Sequence, residues 1–229
     1  MTKSKKRKED NKNIVVVEEA LSKSEQFIER NQNLIVYSVA IVVILIAGYI
    51  GYTRFILEPR EREGMAEMFM AEKYFQNEDF ELALEGDGEY PGFLDIISDY
   101  RMTKPANLSR YYAGISLIRL GEYEEGIDHL QSFRKRDQIL GAMAYGAIGD
   151  AYWEMGELDR AERYYRRAYN YEPNNLTTPL FLLKAGLLYE QMGSYDAALE
   201  RYERIRREYP ESTEGRDIDK YIARARASS

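Results

Sequence analysis

A repeat constrains this chain more than any other feature. Gly121, Gly156 and Gly193 lie 35 and 37 residues apart, in the phrases Leu120-Gly121-Glu122-Tyr123, Met155-Gly156-Glu157-Leu158 and Met192-Gly193-Ser194-Tyr195. Seven residues before each stands another glycine (Gly114, Gly149, Gly186), and five residues after it a small residue (Gly126, Ala161, Ala198). Pro173 and Pro210 close the second and third units, and the first has no such proline. A period of this length signals stacked supersecondary units, none of which buries its apolar face alone. The spacing predicts two antiparallel helices per unit, A and B. The loop glycine supplies the tight turn between them. The earlier glycine lets helix A approach helix B, and the small residue sits where they cross. The proline stops helix B. Tyr123 and Tyr195 are expected to fill the gap under the turn.

In these positions the chain resembles the tetratricopeptide repeat family. The second unit, Ala142–Pro173, carries nearly the whole pattern and departs from it at Leu158, where the family has an aromatic residue. The resemblance covers about residues 107–210. It implies an α-solenoid that binds proteins in a concave groove lined by helix A of each unit. Family geometry assigns to that groove Leu108, Tyr111, Ile115, Ile118 and Arg119 from the first unit. The second unit contributes Met143, Gly146, Asp150, Trp153 and Glu154, and the third Leu180, Leu183, Leu187, Glu190 and Gln191. Trp153 is the only tryptophan. Two readings stand for it: an anchor for a partner, or a side chain packed on neighbouring helices. Some family members clamp a C-terminal carboxylate with Lys and Asn. At the matching positions this chain has Tyr111 and Ile115, then Gly146 and Asp150, so that mode is not expected. An apolar and acidic groove suits an unfolded or amphipathic segment, or a partner's helix.

Upstream, Tyr74–Ala83 reads as the centre of a degenerate unit whose turn lacks glycine, with Phe80 and Ala83 in the pattern positions. The run Gly86-Asp-Gly-Glu-Tyr-Pro-Gly92 interrupts its second helix, which resumes over Phe93–Tyr100; a second break surrounds Lys104–Pro105. A helix is expected over Arg60–Gln76, with Glu58 outside it because the residue before a proline avoids helical backbone. Ser212–Ala225 should form a capping helix with Ile218, Tyr221 and Ile222 on one side, Arg216 and Arg224 on the other.

Leu34–Tyr52 contains no charge, amide or proline. As a helix it is roughly 28 Å long, close to the ~30 Å hydrocarbon core of a bilayer. The apolar run starts late and ends without a small-x-small cleavage site, as an uncleaved signal-anchor does. Residues 1–53 carry eight Lys/Arg and six Asp/Glu, a net +2, and the remainder carries −9. The positive-inside rule puts the N-terminus in the cytoplasm. Tyr37 at one end, and Tyr49, Tyr52 and Phe55 at the other, suit interfacial aromatic belts. Ala47 and Gly51 form a small-xxx-small pair, facing either a second helix or lipid. Residues 2–13 have no apolar side chain and read as a disordered topology signal. Val17, Ala20, Leu21, Phe27 and Ile28 make an amphipathic stripe.

Chemistry is scarce. There is no cysteine and a single histidine, His129, so thiolate sites and histidine clusters are excluded. No phosphate loop, Gly-x-Ser-x-Gly or His-Glu-x-x-His is present. Neighbouring carboxylates such as Glu124-Glu125, Asp95 and Asp99 read as solvated faces. Glu162–Arg166, Glu200–Arg204 and Glu203–Arg207 are spaced for helix-surface ion pairs. The acidic body argues against nucleic acid. The expectation is a protein without enzymatic activity, cofactor, metal or small-molecule substrate.

The fold expected is all-α. A cytoplasmic tail (1–33) leads into one transmembrane helix (34–55), a membrane-proximal helix with the degenerate unit (56–106), three repeats (107–211) and a cap (212–229). This layout, with Glu19-Ala-Leu-Ser-Lys-Ser-Glu25, resembles the YfgM-type ancillary subunits of the bacterial translocon. That resemblance implies an inner-membrane protein with periplasmic repeats, associated with Sec translocon subunits and a membrane-anchored periplasmic chaperone. Two alternatives stay open: a self-associating structural or cell-division organiser of the envelope, and an organellar receptor with cytosolic repeats.

Overall fold

The structure, a computed structural model, describes residues 29–228. The basic tail and the amphipathic stripe expected over Val17–Ile28 lie outside the described residues. The described part is helical, with one isolated β-bridge between Gly86 and Pro91. The chain divides into two units, Met1–Pro59 and Arg60–Ser229.

In the first unit, α1 spans Gln32–Tyr52 and is followed by a π-helical turn, Thr53–Leu57. No residue of α1 is buried. Its apolar side chains point outward, with Leu34 and Ile44 each 68% exposed. By length and composition this region can cross a membrane. A Cβ on Gly51 would meet nothing within 4 Å. The expected break at Glu58 is absent: its backbone is helical (φ −60°, ψ −44°), and its N–H donates to the Thr53 carbonyl five residues back. Pro59 has no N–H to donate, and its ring crowds the carbonyl four residues back. The wider π turn just before it relieves that crowding, which is how helical backbone continues into a proline.

The second unit holds two apolar clusters. The upstream one joins α2 (Glu58–Gln76), α3 (Phe80–Glu85) and α4 (Phe93–Asp99) to α5 (Lys104–Leu120). Met68, Ala71, Leu84, Phe93, Ile96 and Leu117 are buried there. Phe93 stacks on Tyr112 at 5.2 Å, and Phe75 meets both rings edge-on. Glu78, at φ 64°, takes the turn position where the later units have glycine.

The larger cluster runs through the repeats: α5 with α6 (Tyr123–Ser132), α7 (Gln138–Glu154) with α8 (Leu158–Asn170), and α9 (Thr177–Gln191) with α10 (Tyr195–Glu208). Each A helix ends at its loop glycine in left-handed backbone, φ 89° at Gly121, 76° at Gly156 and 71° at Gly193. Only a residue without Cβ adopts this conformation freely. The earlier glycines mark close approaches. A Cβ on Gly114 would lie 2.8 Å from the Gly126 carbonyl, one on Gly149 2.8 Å from the Tyr165 ring, and one on Gly186 2.2 Å from the Tyr202 ring. Between units, a Cβ on Gly146 would fall 1.9 Å from Phe181. Ala161 and Ala198 are fully buried, while Tyr123 and Tyr195 under the turns are half-buried.

The first repeat's B helix is short. α6 has 10 residues against 13 in α8 and 14 in α10. Phe133 leaves it in extended backbone (φ −65°, ψ 125°). The Lys135 ammonium donates to the carbonyls of Leu130 (2.7 Å) and Phe133 (3.2 Å) and lies over the rings of Phe133 and Tyr145. Burial pushes its pKa down. The α6–α7 connection is thus held by a cation on the last turn's free carbonyls, where the other repeats have a proline.

Two expectations are corrected here. The C-terminal cap is split at Asp217 into α11 (Thr213–Arg216), capped by Ser212, and α12 (Ile218–Ser228). A Cβ on Gly215 would strike the Tyr209 carbonyl at 2.1 Å, so the chain bends tightly there. Of the three expected surface pairs, Glu162–Arg166 is present at 3.7 Å. Arg204 instead takes Glu208, Glu200 pairs with Arg201, and Glu203 pairs with Arg206 and Arg226. Long side chains on an exposed face choose among several carboxylates of nearly equal energy.

Candidate functional site: a groove across the first repeats

The A helices α5, α7 and α9 line a groove of about 640 Å³. Of the residues assigned to it from sequence, Tyr111, Ile115, Ile118, Arg119, Met143, Asp150, Trp153, Glu154 and Leu180 stand on its wall. Leu108, Gly146, Leu183, Leu187, Glu190 and Gln191 are not among its lining residues. Glu190 is engaged by the cap, where the Arg224 guanidinium donates to its carboxylate at 2.6 Å.

The wall is apolar at its centre and charged at its edge. Ile115, Ile118, Met143 and Leu180 are half-buried, neither sunk into the core nor fully in solvent. Tyr111 is buried, and burial pushes its phenol pKa up to about 12, so it presents a neutral hydroxyl. Arg119 and Glu154 are exposed on the rim.

Asp150 organises the polar floor. Its carboxylate accepts from the Lys184 ammonium at 2.6 and 2.7 Å and from the Tyr165 hydroxyl at 2.6 Å. Burial first, and then the Asp150 charge, raise the Tyr165 pKa far above the ordinary phenol range. The hydroxyl stays protonated and tethers α8 to α7. The Asp150–Lys184 pair spans two repeats and is about one-third exposed on each side. It fixes their register more than it adds stability.

Of its two readings, the structure shows Trp153 packed on neighbouring helices. Its indole N–H donates to the Gln191 side-chain oxygen at 2.6 Å, and its ring meets Tyr165 edge-on at 6.0 Å. It packs on neighbours, and its remaining face lines the groove. Tyr123, Ala147, Tyr165, Phe181 and Lys184 also line the groove and escaped the sequence reading. Lys184 lies four residues after Leu180 on one helix face, a signal that was available. Tyr165 belongs to a B helix, and it reaches the groove only because Gly149 leaves room for its ring.

Among the described residues no cluster of three or more His, Cys, Asp or Glu side chains could hold a metal ion.

Comparison with known proteins agrees with this geometry. Family models of the tetratricopeptide repeat match residues 108–137, 142–175 and 181–212. The chloroplastic protein FLUORESCENT IN BLUE LIGHT of Arabidopsis thaliana is 27% identical over 115 residues, 48% of this chain. The chain spans about a third of that relative's length, 35%. Among solved structures, the nearly identical TPR-like repeats of a Podosopora anserina kinesin light chain superpose with a TM-score of 0.56 at 14% identity, covering 74% of this chain and 87% of that one. MamA aligns with a TM-score of 0.48 at 20% identity, covering 69% and 93%. Glycine turns, close-packed A and B helices and matching family models coincide over one stretch: residues 108–212 form three tetratricopeptide repeats, the fold of a protein-interaction scaffold.

Proposed function

We propose that this chain is a membrane-tethered scaffold whose repeats, on the periplasmic side of the inner membrane, bind segments of exported proteins. In this reading α1 is the tether and the +2 N-terminal region stays in the cytoplasm. The repeats receive a segment emerging from the Sec translocon and release it to a membrane-anchored chaperone. The work is done by binding alone.

The observation that carries the binding role is the groove wall, where Ile115, Ile118, Met143 and Leu180 stay half-buried between the charges of Arg119 and Glu154. Such a surface fits a segment with an apolar face and polar edges better than a small polar ligand. The tether rests on the length and outward-facing apolar side chains of α1. The sidedness rests on the charge bias and on the likeness in layout to the ancillary translocon subunits.

Two measurements test this. A reporter fused at the C-terminus should be active in the periplasm; activity only in the cytoplasm removes the sidedness and the translocon role together. A photo-crosslinker at Met143 should capture translocating chains, translocon subunits or an envelope chaperone. Capture that persists unchanged in the Leu180→Asp protein would remove the groove as the binding surface.

A further inference from the structure

Outside the groove, a second cavity of about 670 Å³ lies where α4, the start of α5 and the end of α6 meet. Its lining is Ile97, Ser98, Arg101, Met102, Thr103, Asn107, Arg110, Ser132 and Arg134. Three guanidiniums and no carboxylate line it, in a body whose net charge is −9. Among the described residues none of the three arginines forms an ion pair, although most other basic side chains of the repeats do.

Two of the three arginines are anchored by hydrogen bonds. Arg110 is half-buried and donates to the Ala106 carbonyl at 3.0 Å. Arg134 is fixed through its backbone, since the Asn107 side chain accepts from its N–H at 2.8 Å and donates to its carbonyl at 3.2 Å. Arg101 precedes Met102, which sits in left-handed backbone at φ 68° with its side chain 72% exposed at the rim. The first turn of α5, capped by Thr103, adds the positive end of a 17-residue helix. Burial first, and then the nearby Arg134 charge, lower the Arg110 pKa. Asp99, two residues before Arg101, accepts from the Ser98 hydroxyl, and the charges of Glu125 and Asp128 act on His129. Unopposed like charges in a built recess are stabilised when a ligand supplies the counter-charge.

We propose that this recess is a second docking site, and that it takes an acidic segment of a protein partner. This deepens the scaffold reading and rests on it. Guanidinium forks match carboxylates two hydrogen bonds at a time, and three forks on three chain segments suit several carboxylates in sequence. Met102 and Ile97 offer an apolar edge for the methylene stems of such side chains.

The test uses the full chain in detergent, with a fluorescein-labelled oligoglutamate peptide and an oligoglutamine control. Oligoglutamate should bind, with an affinity that falls steeply on adding salt, and oligoglutamine should not. Arg101→Gln/Arg134→Gln, both on exposed arginines, should weaken binding about tenfold or more, and Arg110→Gln should do the same. Arg119→Gln, on the groove rim, should leave it unchanged. Trp153 stands in the groove, so its emission should stay constant during the titration. An emission change together with loss of binding in Arg119→Gln would place the peptide in the groove and overturn the second site while leaving the scaffold intact. Displacement by inorganic phosphate or pyrophosphate at concentrations where chloride has no effect would reassign the recess to phosphate and overturn the acidic-segment reading. Equal binding by the arginine variants would overturn it outright.

Discussion

The first repeat and its two successors solve one packing problem differently. At equivalent places in helix B stand Leu130, Tyr165 and Tyr202, all fully buried. Opposite them stand Gly114, Gly149 and Gly186. In the second and third repeats the glycine is a socket for a tyrosine ring. In the first, Leu130 is smaller, and the helices close further until Gly114 and Gly126 each face the other's carbonyl at 2.8 Å from a would-be Cβ. The later two pairs are spaced by an aromatic ring, the first by the Leu130 side chain, 2.6 Å from the would-be Cβ of Gly114, with backbone close behind it. The same glycine in a motif therefore carries different tolerance to change, because a ring can rotate or shrink by mutation and a carbonyl cannot.

The largest effect expected from this difference is at the ring. Tyr165→Ala should cost about 3–5 kcal/mol, at or above the cost of Leu130→Ala, since it empties a socket and leaves Asp150 with one partner fewer. Thermal unfolding of the full chain followed by circular dichroism reads both, and a markedly larger loss at Leu130 would break the comparison. Next comes rescue. Gly149→Ala and Gly114→Ala should each lose about 1–3 kcal/mol from crowding, reduced by up to about 1 kcal/mol through alanine's better helix propensity. Adding Tyr165→Leu should relieve Gly149→Ala in a double-mutant cycle. Leu130→Ala should rescue Gly114→Ala far less, because the Gly126 carbonyl remains. Smaller again is Asp150→Asn, expected at about 1 kcal/mol or less because the Lys184 pair is partly exposed. Its clearer sign would be faster amide exchange in α9 than in α6.

The smallest effect is a pH dependence confined to the first repeat. Burial lowers the His129 pKa, with Arg110 of α5 acting the same way and Glu125 and Asp128 of its own helix opposing. The unfolded chain then binds the proton more readily than the folded one. The associated stability is complete above the ordinary imidazole value of about 6.5 and is lost as pH falls through the lowered folded value. His129→Gln should flatten the loss of Tm between about pH 7.5 and 5.5; an unchanged slope would assign the acid sensitivity to other groups.

Much of the fold could be read from spacing. Left-handed glycines at fixed intervals and small residues where helices cross are local demands, and Gly121, Gly156 and Gly193 meet them as the pattern requires. Positions that depend on choices among neighbours were not readable. Glu203 and Arg204 select partners from several within reach, and Glu58 stays helical because the preceding turn widens. In the groove, Tyr111, Ile115, Ile118, Arg119, Met143, Asp150, Trp153 and Glu154 come together, while Glu190 pairs with Arg224, a contact of residues 34 apart in sequence. The arginine recess was invisible for a related reason. Arg101, Arg110 and Arg134 share no motif, and they meet only because α6 ends early and Asn107 catches the connection that follows.

That early ending also gives the first repeat a chemical clock. The Lys135 amine is half-buried and committed to two carbonyls and two aromatic faces, so acylation there is favoured when the α6–α7 connection lets go. Exposed amines such as Lys220 should be modified at the reagent's own pace. Lys135 should be modified at the pace of local opening, and a partner that clamps this seam should slow it further.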